Sequence, residues 1–195
     1  MSGRSVRVRG LAVTLLSCLA AGQPHAAQDH PPFLPTRDLV IEYQVQDARN
    51  GTRHTLRSYF TVRSQRLRVE TPENPGYMVI DSPGKRILVV MPQARTVAAA
   101  LFDPQSAQSF MLNEHMRFVR LGTDHVAGFD CTIWDVRSEQ GNGRMCMTED
   151  GVMLRGSNDK GSMVATSLRY QPQADELFNP PPGYRIVERP AAANR

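Results

Sequence analysis

The sequence predicts a mainly β domain: a strongly curved antiparallel half-barrel of about ten or eleven strands, with one principal helix on its concave side. Three observations predict it. Apolar and polar residues alternate with a period of two in short runs from Leu39 to Glu188. Turn signals such as Asn50-Gly51, Pro83-Gly84 and Asp150-Gly151 separate those runs at hairpin spacing. The runs follow one another without the helices that parallel crossovers need, so neighbours pair antiparallel. So many strands exceed the usual sheet size, which favours curvature or partial closure.

Leu39, Ile41, Tyr43 and Val45 alternate with Glu42, Gln44 and Gln46 in the first strand, and Asn50-Gly51 turns it into Leu56–Val62. Short strands follow at Leu67–Val69, Tyr77–Asp81, Ile87–Met91 and Thr96–Phe102, separated by Pro- and Gly-bearing turns. Asp103 then reads as an N-cap with Pro104 in the first helical position. Ala107, Phe110, Met111 and Glu114 recur at helical spacing, so Asp103–His115 reads as a lid helix. Strands resume at Met116–Leu121, Thr132–Val136, Arg144–Thr148, Val152–Gly156, Ser162–Gln171 and Tyr184–Glu188.

Residues 1–27 read as a secretory signal: Arg4, Arg7 and Arg9, then an apolar run from Leu11 that is too short to anchor in a bilayer. Cleavage after Ala27, cleavage after Ala21 and lipidation at Cys18, which follows Leu15-Leu16-Ser17, all remain open. The Pro-rich residues 28–37 read as an arm, 38–188 as the β domain and 189–195 as a flexible tail. The whole chain carries 23 Lys+Arg against 19 Asp+Glu. Without the three signal arginines it is close to neutral, which removes the electrostatic argument for a nucleic-acid partner.

Loss of Cys18 leaves Cys131 and Cys146, an even pair in an oxidising compartment and without metal-ligand spacing, so a disulfide is expected. Antiparallel pairing of Cys131 with Cys146 sets Trp134 opposite Gly143 and Val136 opposite Gly141, with the turn on residues 137–140.

Arg66–Glu70, Met78–Asp81, Gly84-Lys85, Ile87–Met91 and Pro92 resemble the strand–turn–strand rhythm of periplasmic lipoprotein carriers of the LolA/LolB type. The stretch from Gly128-Phe129-Asp130-Cys131-Thr132 to Cys146–Val152, with Leu177-Phe178 and Gly183-Tyr184, resembles exported bacterial proteins grouped as a domain of unknown function. The carrier resemblance implies a helix-capped half-barrel with an apolar cavity for acyl chains.

A cavity of that kind has Tyr43, Phe60, Val69, Val89, Val97, Leu101, Phe110 and Met111 as candidate lining for a lipid or lipoprotein acyl chain; the competing reading is a filled core. Arg53, Arg57, Arg63, Arg66 and Arg68 crowd one hairpin with no acidic residue between the first and the last. They are candidates for an anionic membrane surface, against a solvated face that guards sheet edges. Met111, His115 and Met116 offer soft ligands that suit copper, though methionine also fills adaptable cores. Asp124-His125 and Glu149-Asp150 are the adjacent polar pairs of note, and neither belongs to a catalytic motif. The expectation is a non-enzymatic, cofactor-free, periplasmic binding protein, or else a structural module of the envelope.

Overall fold

Alternating side chains need two faces on which to divide, and the chain meets this need with one large sheet. The computed structural model describes residues 29–72, 74–101, 112–139 and 141–189. The expected signal, Cys18, most of the expected lid helix with Phe110 and Met111, and the tail beyond Arg189 lie outside these residues.

Twelve strands form the sheet: β1 Leu39–Asp47, β2 Arg53–Thr61, β3 Arg66–Glu70, β4 Tyr77–Asp81, β5 Arg86–Met91, β6 Thr96–Leu101, β7 Arg117–Val126, β8 Phe129–Ser138, β9 Gly141–Met147, β10 Met153–Asn158, β11 Gly161–Tyr170 and β12 Arg185–Arg189. Their order across the sheet is β12-β6-β5-β4-β3-β2-β1-β11-β10-β9-β8-β7. All neighbours pair antiparallel except β12, which lies parallel to β6. The sheet is therefore open, and β12 and β7 are its edges. Bulges at Glu42/Tyr43, Met153/Arg155 and Arg120/Gly122 bend it, and β7 comes back to touch β11 across the strands between them.

Where the expected helix reaches described residues, at 112–115, the chain is coil and turn, and Asn113 Oδ1 accepts the His115 N–H at 3.0 Å. A polar side chain that bonds the backbone locally competes with helix. The helices among the described residues are two short 3-10 turns, Pro92–Ala94 and Asp175–Phe178.

The main core joins the two ends of the chain order: Leu39, Ile41 and Phe60 from β1 and β2 pack in one cluster with Cys131, Leu154 and Leu168 from β8, β10 and β11. A second cluster holds Trp134, Val136 and Met147, with Met116, Met145 and Met153 against it. The methionine set near Met116 thus fills a core around the indole. Residues of the Pro-rich arm pack on this second cluster through Phe33, Phe118 and Trp134. The Thr36 N–H donates to Asp150 O at 3.0 Å, and a Cβ on Gly151 would stand 2.6 Å from Leu34 O, so only glycine lets the arm pass.

Cys131 and Cys146 are bonded, with Cα atoms 5.3 Å apart on adjacent antiparallel strands. Their register differs from the expected one. Cys146 faces Ile133, Trp134 faces Met145 and Val136 faces Gly143, so the cysteines sit diagonally. Pairing continues to Ser138 and Gly141, where Ser138 Oγ donates to Gly141 O at 2.9 Å. The pairing runs past the limits of the expected four-residue turn and slides the strands by two positions, which preserves the face of every side chain.

Candidate functional site

Side chains on directly opposed residues share a face of the sheet, so the registers assemble rows across strands. One row runs Val69–Met78–Val89–Ala98–Val187, across β3, β4, β5, β6 and β12. Four strand spacings make it about 19 Å long. Every member is apolar. A second apolar row, Leu67–Ile80–Ile87–Ala100, lies beside it.

The opposite face of the same strands is covered in part. The segment after β11 crosses it at β3, and Phe178 in that segment is only 1% exposed. Val79, Val90, Val97 and Ala99 on that face are buried, while Leu101 and Ile186 towards its edge stay 60% and 57% exposed. Arg68 Nη1 donates to Leu177 O at 2.9 Å and Arg66 Nη1 to Asn179 Oδ1 at 3.0 Å, tying this strap down before it enters β12. On the row's own face Val89 is 41% exposed and Val187 37%. A valine as open as Val89 in an interior strand is a surface prepared for contact. At the end of the row Thr71, Asn74, Pro75 and Gly76 and the 3-10 turn Pro92–Ala94 wall a groove of about 440 Å³ that includes Val69, Met78, Val89 and Met91.

The expected lining therefore divides. Val69 and Val89 belong to the row. Tyr43 and Phe60 share their face but sit in the filled main core, where the Tyr43 hydroxyl donates to Met153 O at 2.7 Å. Burial pushes its phenol far above the ordinary range. Val97 and Leu101 stand on the other face, because β6 turns Ala98 and Ala100 towards the row; Val97 is buried there and Leu101 is 60% exposed. The small alanines keep the row shallow, and Met78 and Val187 are the members that sequence reasoning missed. The register of β12 on β6, which alone brings Val187 in, is set by tertiary pairing.

The arginine cluster is not a free patch. Arg57 donates to Glu42 Oε1 and Arg68 to Glu70 Oε2, each through two nitrogens. Arg66 lies 3.4 Å from Asp81 and Arg63 3.5 Å from Asp175. The partner of Arg68 is its strand neighbour Glu70, those of Arg57, Arg66 and Arg63 come from other elements, and only Arg53 of the five has no ionic partner among the described residues. Arg57, Arg66 and Arg68 also project from the face opposite the apolar row.

The polar pairs form no catalytic arrangement among the described residues. The His125 N–H and the Arg155 guanidinium hold the Asp124 carboxyl below the usual carboxylate range. His125 Nδ1 lies 2.7 Å from Asp130 Oδ1 in solvent, and Asp150 Oδ1 accepts from Thr148 Oγ1 and Tyr170. No group of three His, Cys, Asp or Glu among the described residues is placed to hold a metal.

The model of DUF4412, a domain of unknown function, matches residues 44–155, more than half of the chain, so the chain belongs to that family. No curated protein matches the chain. Among solved structures it is similar to PNGF-II, at 14% identity and a TM-score of 0.56, covering 80% of this chain and 32% of that one. It is similar to an uncharacterised conserved protein of Thermus thermophilus, at 13% identity and TM-score 0.55, covering 78% of this chain and 91% of that one. The MucA/MucB complex of Pseudomonas aeruginosa matches at 14% identity and TM-score 0.52, covering 78% of this chain and 59% of that one. This chain thus spans about a third of PNGF-II and under two thirds of the MucA/MucB chain. A LolA superfamily protein of Nitrosomonas europaea also matches, at 9% identity and TM-score 0.39, covering 75% and 91%. At these identities the likeness is one of fold.

Proposed function

We propose that this member of the DUF4412 family is an exported, periplasmic, non-enzymatic binding protein that holds a hydrophobic ligand, a lipid or acyl chain, on the apolar row from Val69 to Val187. The observation that carries the reading is the openness of Val89 and Val187 in a row of five apolar residues. Each methylene that leaves water on such a surface contributes about 0.8 kcal/mol, so a chain lying along the row is held by several such increments. The disulfide supports export, since bonds of this kind persist in oxidising compartments.

Native mass spectrometry of protein purified from an exporting strain tests the reading. A retained lipid mass is expected in the wild type and its loss in Val89→Asp, which places a carboxylate on the row at an already exposed position. A ligand-free wild type that also fails to take up added lipid overturns it.

A second reading, an interaction module for an envelope partner, draws support from MucB, which shares the fold and stands in complex with MucA. Under that reading the row is shielded by protein, and hydrogen exchange at β5 slows only when the partner is added.

A further inference from the structure

Trp134, Met145, Gly156 and Met163 oppose one another in turn across β8, β9, β10 and β11, so they form a row on one face of the sheet. The glycine leaves a gap in the middle of the row, and a bulge supplies what fills it. In an unbroken strand Met153 and Gly156, three residues apart, would point to opposite faces. The bulge between Met153 and Arg155 cancels one step: Met153 opposes Met147, and Gly156 opposes Met145, two positions away in β9. Met153 therefore shares the face of Gly156. Its Sδ lies 3.0 Å from the place a Cβ on Gly156 would take, and Met163 Cγ lies 3.5 Å from the same place. Tyr43 holds the bulge, its hydroxyl donating to Met153 O at 2.7 Å.

Met145 reaches the gap from the third side, since directly opposed residues have Cβ positions about 5 Å apart. Three thioethers thus surround one glycine. Methionine that only fills space ends up buried, as Met147 does at 4% exposed; Met145, Met153 and Met163 stay half-buried, within reach of an ion from solvent. The Trp134 indole, buried beside Met145, separates the thioethers from Arg120, which opposes it on the edge strand. Thioether sulfur is a soft, uncharged ligand that prefers soft ions such as Cu(I) to hard ones. An indole face attracts a cation held near it.

We propose that Met145, Met153 and Met163 form a thioether site for Cu(I), beside the Trp134 indole. The ion arrives and leaves as Cu(I), so no electron changes hands. The site lies on β9, β10 and β11, apart from the apolar row of β3 to β6 and β12, and does not depend on the lipid reading. It shares no residue with the set of Met111, His115 and Met116 that the sequence suggests.

Ag(I) is the probe, having the charge and filled d shell of Cu(I) without the need for a reductant. Trp134 is the one tryptophan of the chain, so its fluorescence reads the site. Thiol-free, disulfide-bonded protein from an exporting strain is titrated with silver nitrate at about pH 5, where an imidazole is mostly protonated and competes poorly. One equivalent should bind and change the indole emission, and buffered Cu(I) under nitrogen should displace it. Met145→Leu/Met163→Leu should weaken binding by about tenfold or more while the thermal midpoint holds. Met78→Leu, in the groove, should bind as the wild type does. Methyl NMR of the wild type needs no variant: the ε-methyl signals of Met145, Met153 and Met163 should shift at one equivalent. No saturation at one equivalent, undiminished affinity in the double variant, shifts at other methionines instead, or Ag(I) that Cu(I) cannot displace overturns the proposal.

Discussion

The guanidinium of Arg68 lies 3.6 Å from the centroid of the Tyr77 ring while it donates to Glu70 Oε2 at 2.8 Å. A residue from the most basic stretch of the sequence is thus a structural tie, joining β3, β4 and the strap through its third contact, the carbonyl of Leu177.

Replacement of Arg68 separates this role from a surface one. Arg68→Gln removes a charge-assisted pair and a cation–π contact at a side chain only 17% exposed, and should cost about 2 kcal/mol. Arg53→Gln, at an exposed position without an ionic partner among the described residues, should stay within about 0.5 kcal/mol. Urea unfolding of the two variants measures both, and equal small losses would return Arg68 to the surface class.

The disulfide should be complete and stabilising. Thiol titration of unfolded, unreduced, exported protein should find no free thiol from Cys131 or Cys146. Reduction of this 15-residue separation should lower stability by about 3 kcal/mol in the chain-entropy account. Two titrating thiols would contradict the bonded pair.

Alkaline pH should loosen the fold through tyrosine. Burial, and then the hydrogen bond to Asp150, push the Tyr170 phenol up to about 12. The native state therefore keeps a proton that the unfolded state releases near its ordinary value of about 10. That contribution is fully present below about pH 10 and is lost as the pH rises through about 12. Tyr170→Phe should flatten the decline in unfolding free energy across this window. Tyr43, raised by burial alone, supplies a remaining slope. An unchanged slope in Tyr170→Phe would remove Tyr170 as its source.

Most of the strand pattern was legible because a half-buried strand writes its two faces into alternating residues, as from Leu39 to Val45. Each of the twelve strands overlaps a run read from the sequence, although β5 and β6 are continuously apolar rather than alternating, and the disulfide was expected from the even cysteine pair. The β7–β8 hairpin was less legible. Its turn places Ala127 at φ 52° beside Gly128 at φ 86°, and alanine carries no signal for a left-handed turn, so both strands run longer than the pattern alone suggests.

What each face of the sheet meets was decided by tertiary structure. Alternation places Val97 and Leu101 together and Ala98 and Ala100 together. It cannot say that Val97 ends fully buried and Leu101 exposed on the face that the distant Leu177–Asn179 strap joins, while Ala98 and Ala100 lie beside the open row. The parallel pairing of β12, the carboxylates that reach Arg57 and Arg66, and the Leu177 carbonyl that meets Arg68 are equally non-local. Period, strand elements and cysteine pairing are written in the order of residues, because they depend on neighbours along the chain or on a simple count. The open row and the paired arginines required the folded sheet, because they depend on which distant strand or loop arrives at each face.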